Sequence, residues 1–214
     1  MKPKQKSYDK LKYKYLKFIK SQEVISEPFR DKIGQLNNFF LPISQMINTN
    51  YLKQKKTQII GLSGGQGSGK STISNILKII LKENFNLETI IFSIDDFYKT
   101  IKERKIMAKK ISPLFLTRGV PGTHDTKMLY SCIKNLKSSK FKKIIIPKFD
   151  KAIDNRAPKN KWLKVTKKPN IVVFEGWCVG AEPQKKKDLL IPINKLEKQS
   201  DYKKTWRNKV NHEL

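Results

Sequence analysis

The sequence predicts an α/β fold: a parallel sheet flanked by helices, with a helical segment ahead of it. Three observations carry this expectation. Apolar runs at Gln58–Ser63, Leu87–Asp95 and Asn170–Glu175 have the length and composition of sheet strands. A stretch from Lys70 to Glu83 repeats apolar residues with helical spacing. The strand, helix, strand order that results builds a parallel sheet, whose ligands bind beyond the carboxyl ends of the strands.

Composition sets the outer bounds. With 214 residues and 38% apolar content, the chain can bury a core without disulfides, as one large domain or two small ones. No apolar run approaches the roughly 20 residues of a membrane span, and the opening MKPKQKSYDKLKYKYLKFIK has no signal-peptide apolar segment, so a cytoplasmic protein with no membrane partner is expected. Cys132 and Cys178 lack a CxxC spacing or a neighbouring His/Cys cluster, which predicts reduced, partly buried thiols. The formal charge of +28 comes almost wholly from lysine, with arginine only at Arg30, Arg104, Arg118, Arg156 and Arg207. The lysines are scattered through every segment, a compositional bias unlike the clustered, arginine-rich stripe of a nucleic-acid binder. Nucleic acid is therefore not an expected partner, although such a surface attracts anionic substrates generically.

Residues 1–53 read as a helical N-terminal extension packed on the core. Tyr13, Leu16, Phe18 and Ile19 form one helical patch, Phe29, Ile33, Leu36, Phe39 and Phe40 a second, and the loop around Glu27 and Pro28 divides them. Residues 54–214 form the main domain. Its first strand, Gln58–Ser63, is an apolar run ending in glycines, which reads as a buried parallel strand. Ile73, Ile76, Leu77, Ile80 and Leu81 give the next helix one apolar face, and Asn170–Glu175 closes with an acid.

Between the first strand and that helix lies GLSGGQGSGKST, with five glycines in its first nine residues. Gly64, Gly69, Lys70 and Ser71 satisfy the GxxxxGK[ST] pattern in the context a phosphate-binding loop requires. Along Gly64, Gly65, Gln66, Gly67, Ser68, Gly69, Lys70, Ser71 and Thr72, backbone N–H groups can converge on phosphate oxygens that larger side chains would keep away. The helix N-terminus adds potential favourable to an anion. Lys70 is expected to reach the β- and γ-phosphates of ATP and Ser71 to hold Mg²⁺. The alternative is a glycine-rich turn without a ligand. No GxGxxG can be drawn through these glycines, which excludes a dinucleotide fingerprint.

SIDDFY, Ser93 to Tyr98, places Asp95 and Asp96 just past the second strand. A carboxylate there can accept the proton of an attacking hydroxyl during phosphoryl transfer, and Asp95 is the expected base. Asp96 fits a helix cap. Glu175 is expected in the Mg²⁺ shell, directly or through water. Lys70, Asp95 and Glu175 are thus the expected catalytic set, with Ser71 and Glu175 as metal ligands.

At these residues the sequence resembles a known family. GLSGGQGSGKST, SIDDFY, RGVPGTHD (Arg118 to Asp125), PKFDKA (Pro147 to Ala152), the pair Asn155-Arg156, VVFEGWCVG (Val172 to Gly180) and WRNKVN (Trp206 to Asn211) look like the D-glycerate 3-kinases of the plant and cyanobacterial type, relatives of uridine kinase and phosphoribulokinase. The likeness runs from about Ile59 to the last residue and implies a P-loop kinase core over residues 54–214. It implies Asp95 as the base, with Arg118, Thr123, His124, Asp125, Asp150, Lys151 and Arg156 around the acceptor. His124 also reads as an ordinary loop histidine. D-glycerate carries a carboxylate and two hydroxyls, so its pocket needs cations or N–H donors for the one and acceptors for the others, which these residue types supply.

The chain departs from the family in two places. Where the family reads GDR this chain has Asp154-Asn155-Arg156. Family members also continue past the WRxxVN segment with further strands and an arginine-bearing lid, which implies an incomplete sheet with Ile59–Ser63 as its edge. The resulting expectation is weak ATP binding and poor turnover by these residues alone, unless a second polypeptide supplies the rest. A second reading, from another class, is an inactive or degenerate nucleotide-binding remnant, or a nucleic-acid-associated protein, whose basic surface is its useful property.

Overall fold

The computed structural model describes residues 5–24 and 28–214, with the side chains of residues 5 and 6 left aside. The expected turn at Glu27 lies outside the described residues. In chain order the elements are α1 (Gln5–Gln22), α2 (Lys32–Gln35), α3 (Leu41–Gln54), β1 (Gln58–Ser63), α4 (Lys70–Phe85), β2 (Thr89–Ser93), α5 (Ile101–Lys110), α6 (Thr126–Lys137), β3 (Ile144–Ile146), β4 (Phe149–Asp150), β5 (Asn155–Arg156), β6 (Leu163–Val165), β7 (Ile171–Gly176), α7 (Lys195–Ser200) and α8 (Thr205–His212). They fall into two compact units, the first running through Phe92 and including Lys167–Trp177, the second comprising Ser93–Thr166 and Cys178–Leu214.

In the first unit the sheet order is β1, β7, β2, and β1 runs parallel to β7 with Gln58 opposite Ile171 and Ser63 opposite Gly176. β7 is buried along its whole length, as its unbroken apolar run predicts. β1 is not the buried strand that its apolar run suggests; it takes the edge position expected for Ile59–Ser63. Among the described residues it pairs with β7 alone and stays half-buried or exposed at every position.

α4 buries Ile76, Leu77, Ile80 and Leu81. It starts behind Gly69 and ends on Asn86, left-handed at φ 52°, where the N–H of Asn86 bonds to Lys82 O and that of Leu87 to Leu81 O. This cap uses Leu87, so β2 begins only at Thr89. β2 also stops earlier than the sequence predicts, at Ser93. There the Ser93 hydroxyl and the Asp96 carboxylate cap a short 3₁₀ helix, Ile94–Phe97, that carries Asp95 out of the strand.

The N-terminal helices pack on α4. Leu11, Tyr15 and Ile19, spaced by four, join Leu36, Phe40, Ile76 and Ile80 in one buried cluster. The face differs from the expected one: Tyr13 and Phe39 are exposed, while Leu11 and Tyr15 are buried. Between Leu36 and Phe40 the backbone forms a π turn, whose additional residue per turn moves Phe39 off the buried stripe. Lys10 and Lys14 pair with Glu83 at 3.3 and 2.6 Å.

The second unit is built from caps and short ladders. Thr100 and Glu103 form a capping box on α5, Asp125 caps α6 and Asn194 caps α7. β3 pairs antiparallel with β6, and β4 with β5, setting Phe149 opposite Arg156 and Asp150 opposite Asn155. Arg104 is fully buried on α5 and donates to the carbonyls of Lys99, Leu116 and Asp154. Cys132 and Cys178 are free and buried, and burial pushes the Cys132 thiol up to about 12.

Candidate functional site

The candidate residues fall into two groups, one in each unit. In the first unit the chain leaves β1 at Ser63 and re-enters regular structure at Lys70, with the phosphate-loop residues between. Gly67 and Gly69 take φ of 75° and 79°, a region costly to residues with a Cβ. A Cβ on Gly64 would stand 2.7 Å from Ser68 Oγ, which donates to Gly65 O at 2.8 Å. A side chain at Gly64 would require the Ser68 hydroxyl to turn away from Gly65 O. Lys70 Nζ donates to Gly65 O at 2.6 Å, so its ammonium is drawn over the loop. Gly65, Gln66, Gly67, Ser68 and Ser71 are exposed and Thr72 is half-buried.

Ser71, at the first turn of α4, donates its hydroxyl to Glu175 Oε1 at 2.9 Å. β7 carries Glu175 there because its register with β1 brings the carboxyl ends of both strands level. Two hard oxygen ligands at the foot of a phosphate loop fit Mg²⁺, which favours oxygen and is commonly held by one or two side chains together with substrate phosphates. Among the described residues there is no cluster of three or more His, Cys, Asp and Glu side chains for a metal, so phosphate oxygens would complete the shell.

In the second unit, Asp95 is the second residue of the 3₁₀ helix, its N–H bonded to Ser93 Oγ at 3.2 Å. Lys151 Nζ meets Asp95 Oδ2 at 2.8 Å. The hydroxyl of Tyr98 also bonds to Asp95; burial first, and then the Asp95 charge, push Tyr98 far above the usual tyrosine range, so it remains a donor. Asp96 points the other way, accepting from the backbone N–H of Ser93 and of Phe149 and pairing with Lys148 at 3.0 Å. The two adjacent acids are thereby given separate roles.

RGVPGTHD is divided in the same manner. Arg118 is half-buried, lies over the Phe149 ring at 5.5 Å and pairs with Asp154. Thr123 is fully buried and its Oγ1 is used within the turn, donating to Val120 O at 2.6 Å and accepting from Gly119 N at 3.2 Å. His124 is 1% exposed, stacked on Tyr98 with 4.4 Å between ring centres. Burial lowers it to about 4, so it is neutral at pH 7, and it supports Tyr98 from below. Asp125 caps α6 through Met128 N–H and pairs with Arg156 at 3.0 Å. Arg156 Nε donates to Tyr98 O at 3.1 Å. Asp150 accepts from Ala152 N–H in its own turn.

The structure thus gathers Asp95, Lys151, Arg118, Asp125 and Arg156 around Tyr98, and it sets Thr123 and His124 behind them. Sequence reasoning passed over Tyr98, Arg104 and Asp154. Tyr98 was within reach as the last residue of SIDDFY. Asp154 was visible as an acid in place of a glycine, and it does adopt the left-handed φ of 49° that glycine favours.

Comparison with known proteins bears on the family and the fold. The family model for "Phosphoribulokinase / Uridine kinase family" matches residues 59–192. An uncharacterized kinase, mug58, of Schizosaccharomyces pombe is 38% identical over 132 residues, covering 58% of this chain and 47% of its own. The chloroplastic D-glycerate 3-kinase of Arabidopsis thaliana is 30% identical over 133 residues, 58% of this chain and 29% of its own. The chain therefore spans less than half the length of either relative. A solved D-glycerate 3-kinase from Cryptococcus neoformans superposes with a TM-score of 0.67 at 21% identity, over 82% of this chain and 67% of that one, and so shares the fold.

Proposed function

The chain belongs to the phosphoribulokinase and uridine kinase family, and from that premise we propose that it transfers the γ-phosphoryl group of ATP to a hydroxyl of D-glycerate, giving ADP and 3-phosphoglycerate. The observation that carries this reading is the grouping of a base and a cation around one tyrosine. Asp95 is hydrogen-bonded to Tyr98, and Arg118 lies over the Phe149 ring that packs edge-on against Tyr98. A small hydroxy acid can place its hydroxyl at the first and its carboxylate at the second.

The loop N–H groups and Lys70 bind the triphosphate. Ser71 and Glu175 would hold Mg²⁺, which would supply positive charge to offset that of the phosphates. Asp95 takes the proton from the acceptor hydroxyl as that oxygen bonds to the γ-phosphorus, and the bond from phosphorus to the β-γ bridging oxygen breaks with ADP leaving. Lys151 and Tyr98 orient the carboxylate for this.

The relatives' names support the reading at two levels. Mug58 is called a kinase, and the Arabidopsis relative is called a D-glycerate 3-kinase. ADP release measured with D-glycerate, other sugar acids and nucleosides tests it: turnover with D-glycerate is expected, and turnover with nucleosides alone would overturn it.

A further inference from the structure

We propose that Asp154 sets the charge of acceptor this site takes, restricting it to a single negative charge. The proposal rests on the acceptor reading above and concerns a residue that does not touch Asp95.

Near the expected base, Asp95 pairs with Lys151, Asp96 with Lys148 and Asp125 with Arg156, each with one cation. Asp154 differs in standing between two guanidinium groups, Arg104 and Arg118. The three side chains together carry one net positive charge. Arg104 is fully buried, and its Nε, NH1 and NH2 are all committed to Lys99 O, Leu116 O and Asp154. No ligand reaches it. Arg118 is the partner with exposure, 29% of its side chain, and it bonds Asp154 through NH1. The net charge is therefore presented through Arg118, whose guanidinium lies 5.5 Å over the Phe149 ring, which in turn packs edge-on against Tyr98 at 5.2 Å.

Without Asp154 the two arginines would present a double charge, fitted to a phosphorylated sugar or a dicarboxylate. With it, a monocarboxylate balances them and a second negative charge has no counterpart. The backbone marks Asp154 as costly: at φ 49° a glycine would be less strained, and the carboxylate offsets this by bridging the two arginines. Burial raises Asp154, but hydrogen bonds from Arg104 and Arg118 outweigh it and hold its carboxyl below the usual range, so the charge is present throughout neutral pH.

The test compares the wild-type chain with Asp154→Asn and Asp154→Gly, both compatible with a left-handed backbone, after melting curves show that at least one is folded. Each is assayed, by turnover and by ligand-induced melting shift, with glycerol, D-glycerate and the dianion 2-(hydroxymethyl)malonate. The expected result is a tenfold or greater rise in the preference for dianion over monoanion in the folded variants. An unchanged ratio overturns the role of Asp154 and leaves the D-glycerate reading standing. A wild type that accepts a different monoacid overturns D-glycerate alone, and the ratio is then judged with that acid. A wild type that takes only neutral acceptors overturns both.

Discussion

Ser71 Oγ and Glu175 Oε1 meet at 2.9 Å although 104 positions of sequence separate them. The parallel register of β1 and β7 produces this, since it ends both strands at the level where α4 begins. Glu175→Gln keeps a hydrogen-bonding partner for Ser71 and removes the charge. The expected outcome is a loss of Mg²⁺-dependent ATP affinity of about tenfold or more, with ATP binding in EDTA almost unchanged, as read by calorimetry with and without the metal. Ser71→Ala is expected to act in the same direction.

Lys70 is held over the loop by a single carbonyl, Gly65 O, and this bond can be exchanged for a phosphate oxygen without rebuilding the loop. Lys70→Met is expected to remove most of the ATP-induced rise in melting temperature while leaving the melting temperature without nucleotide within about 2 °C, because the side chain packs into no core.

The phosphate loop was legible in the sequence because its requirements are local: glycines where backbone must approach an anion, followed by Lys70 and Ser71 at the start of a helix. The position of Asp95 just past a strand end was legible for the same reason. What escaped was set by distant contacts. Nothing local announces that the Thr123 hydroxyl is used inside its turn, or that His124 lies under Tyr98. The π turn at Leu36–Phe40 displaced the expected apolar face by adding a residue that a regular helical count does not include. Asp154 could be seen as unusual, but its two arginine partners are 50 and 36 positions away.

Arg104 joins these distant pieces in the second unit, tying Lys99, Leu116 and Asp154 through hydrogen bonds of 3.2, 2.6 and 2.7 Å to their carbonyls. Arg104→Met fills much of the volume but leaves the three carbonyls without these donors and Asp154 with one cation. Destabilisation of roughly 3–5 kcal/mol is expected, measured as a lowered urea midpoint. A loss below about 1 kcal/mol would mean that water substitutes for the guanidinium.

Asp95→Asn keeps the shape of the side chain and its place beside Lys151 and Tyr98 but removes the proton acceptor. Turnover is expected to fall about 10²–10⁴-fold, with ATP affinity and melting temperature near those of the wild type. Tyr98→Phe, which takes away only the hydroxyl bonded to Asp95, is expected to cost less, on the order of tenfold. Equal losses in the two variants would point to Tyr98 as the group in contact with the reacting hydroxyl.

His124 gives the fold a pH dependence of definite sign. Its ring is buried and stacked on Tyr98, and burial lowers it from 6.5 to about 4 in the folded chain. As pH falls from about 6.5, the unfolded chain takes up a proton that the folded chain refuses until about pH 4, so stability is full above this window and lost across it. The difference of about 2.5 units corresponds to a loss on the order of 3 kcal/mol. His124→Phe preserves an aromatic stack and abolishes the titration. Between pH 7 and pH 4 the wild type is therefore expected to lose about 3 kcal/mol more than the variant, measured by urea unfolding at each pH, and parallel losses in the two proteins would overturn this role of His124.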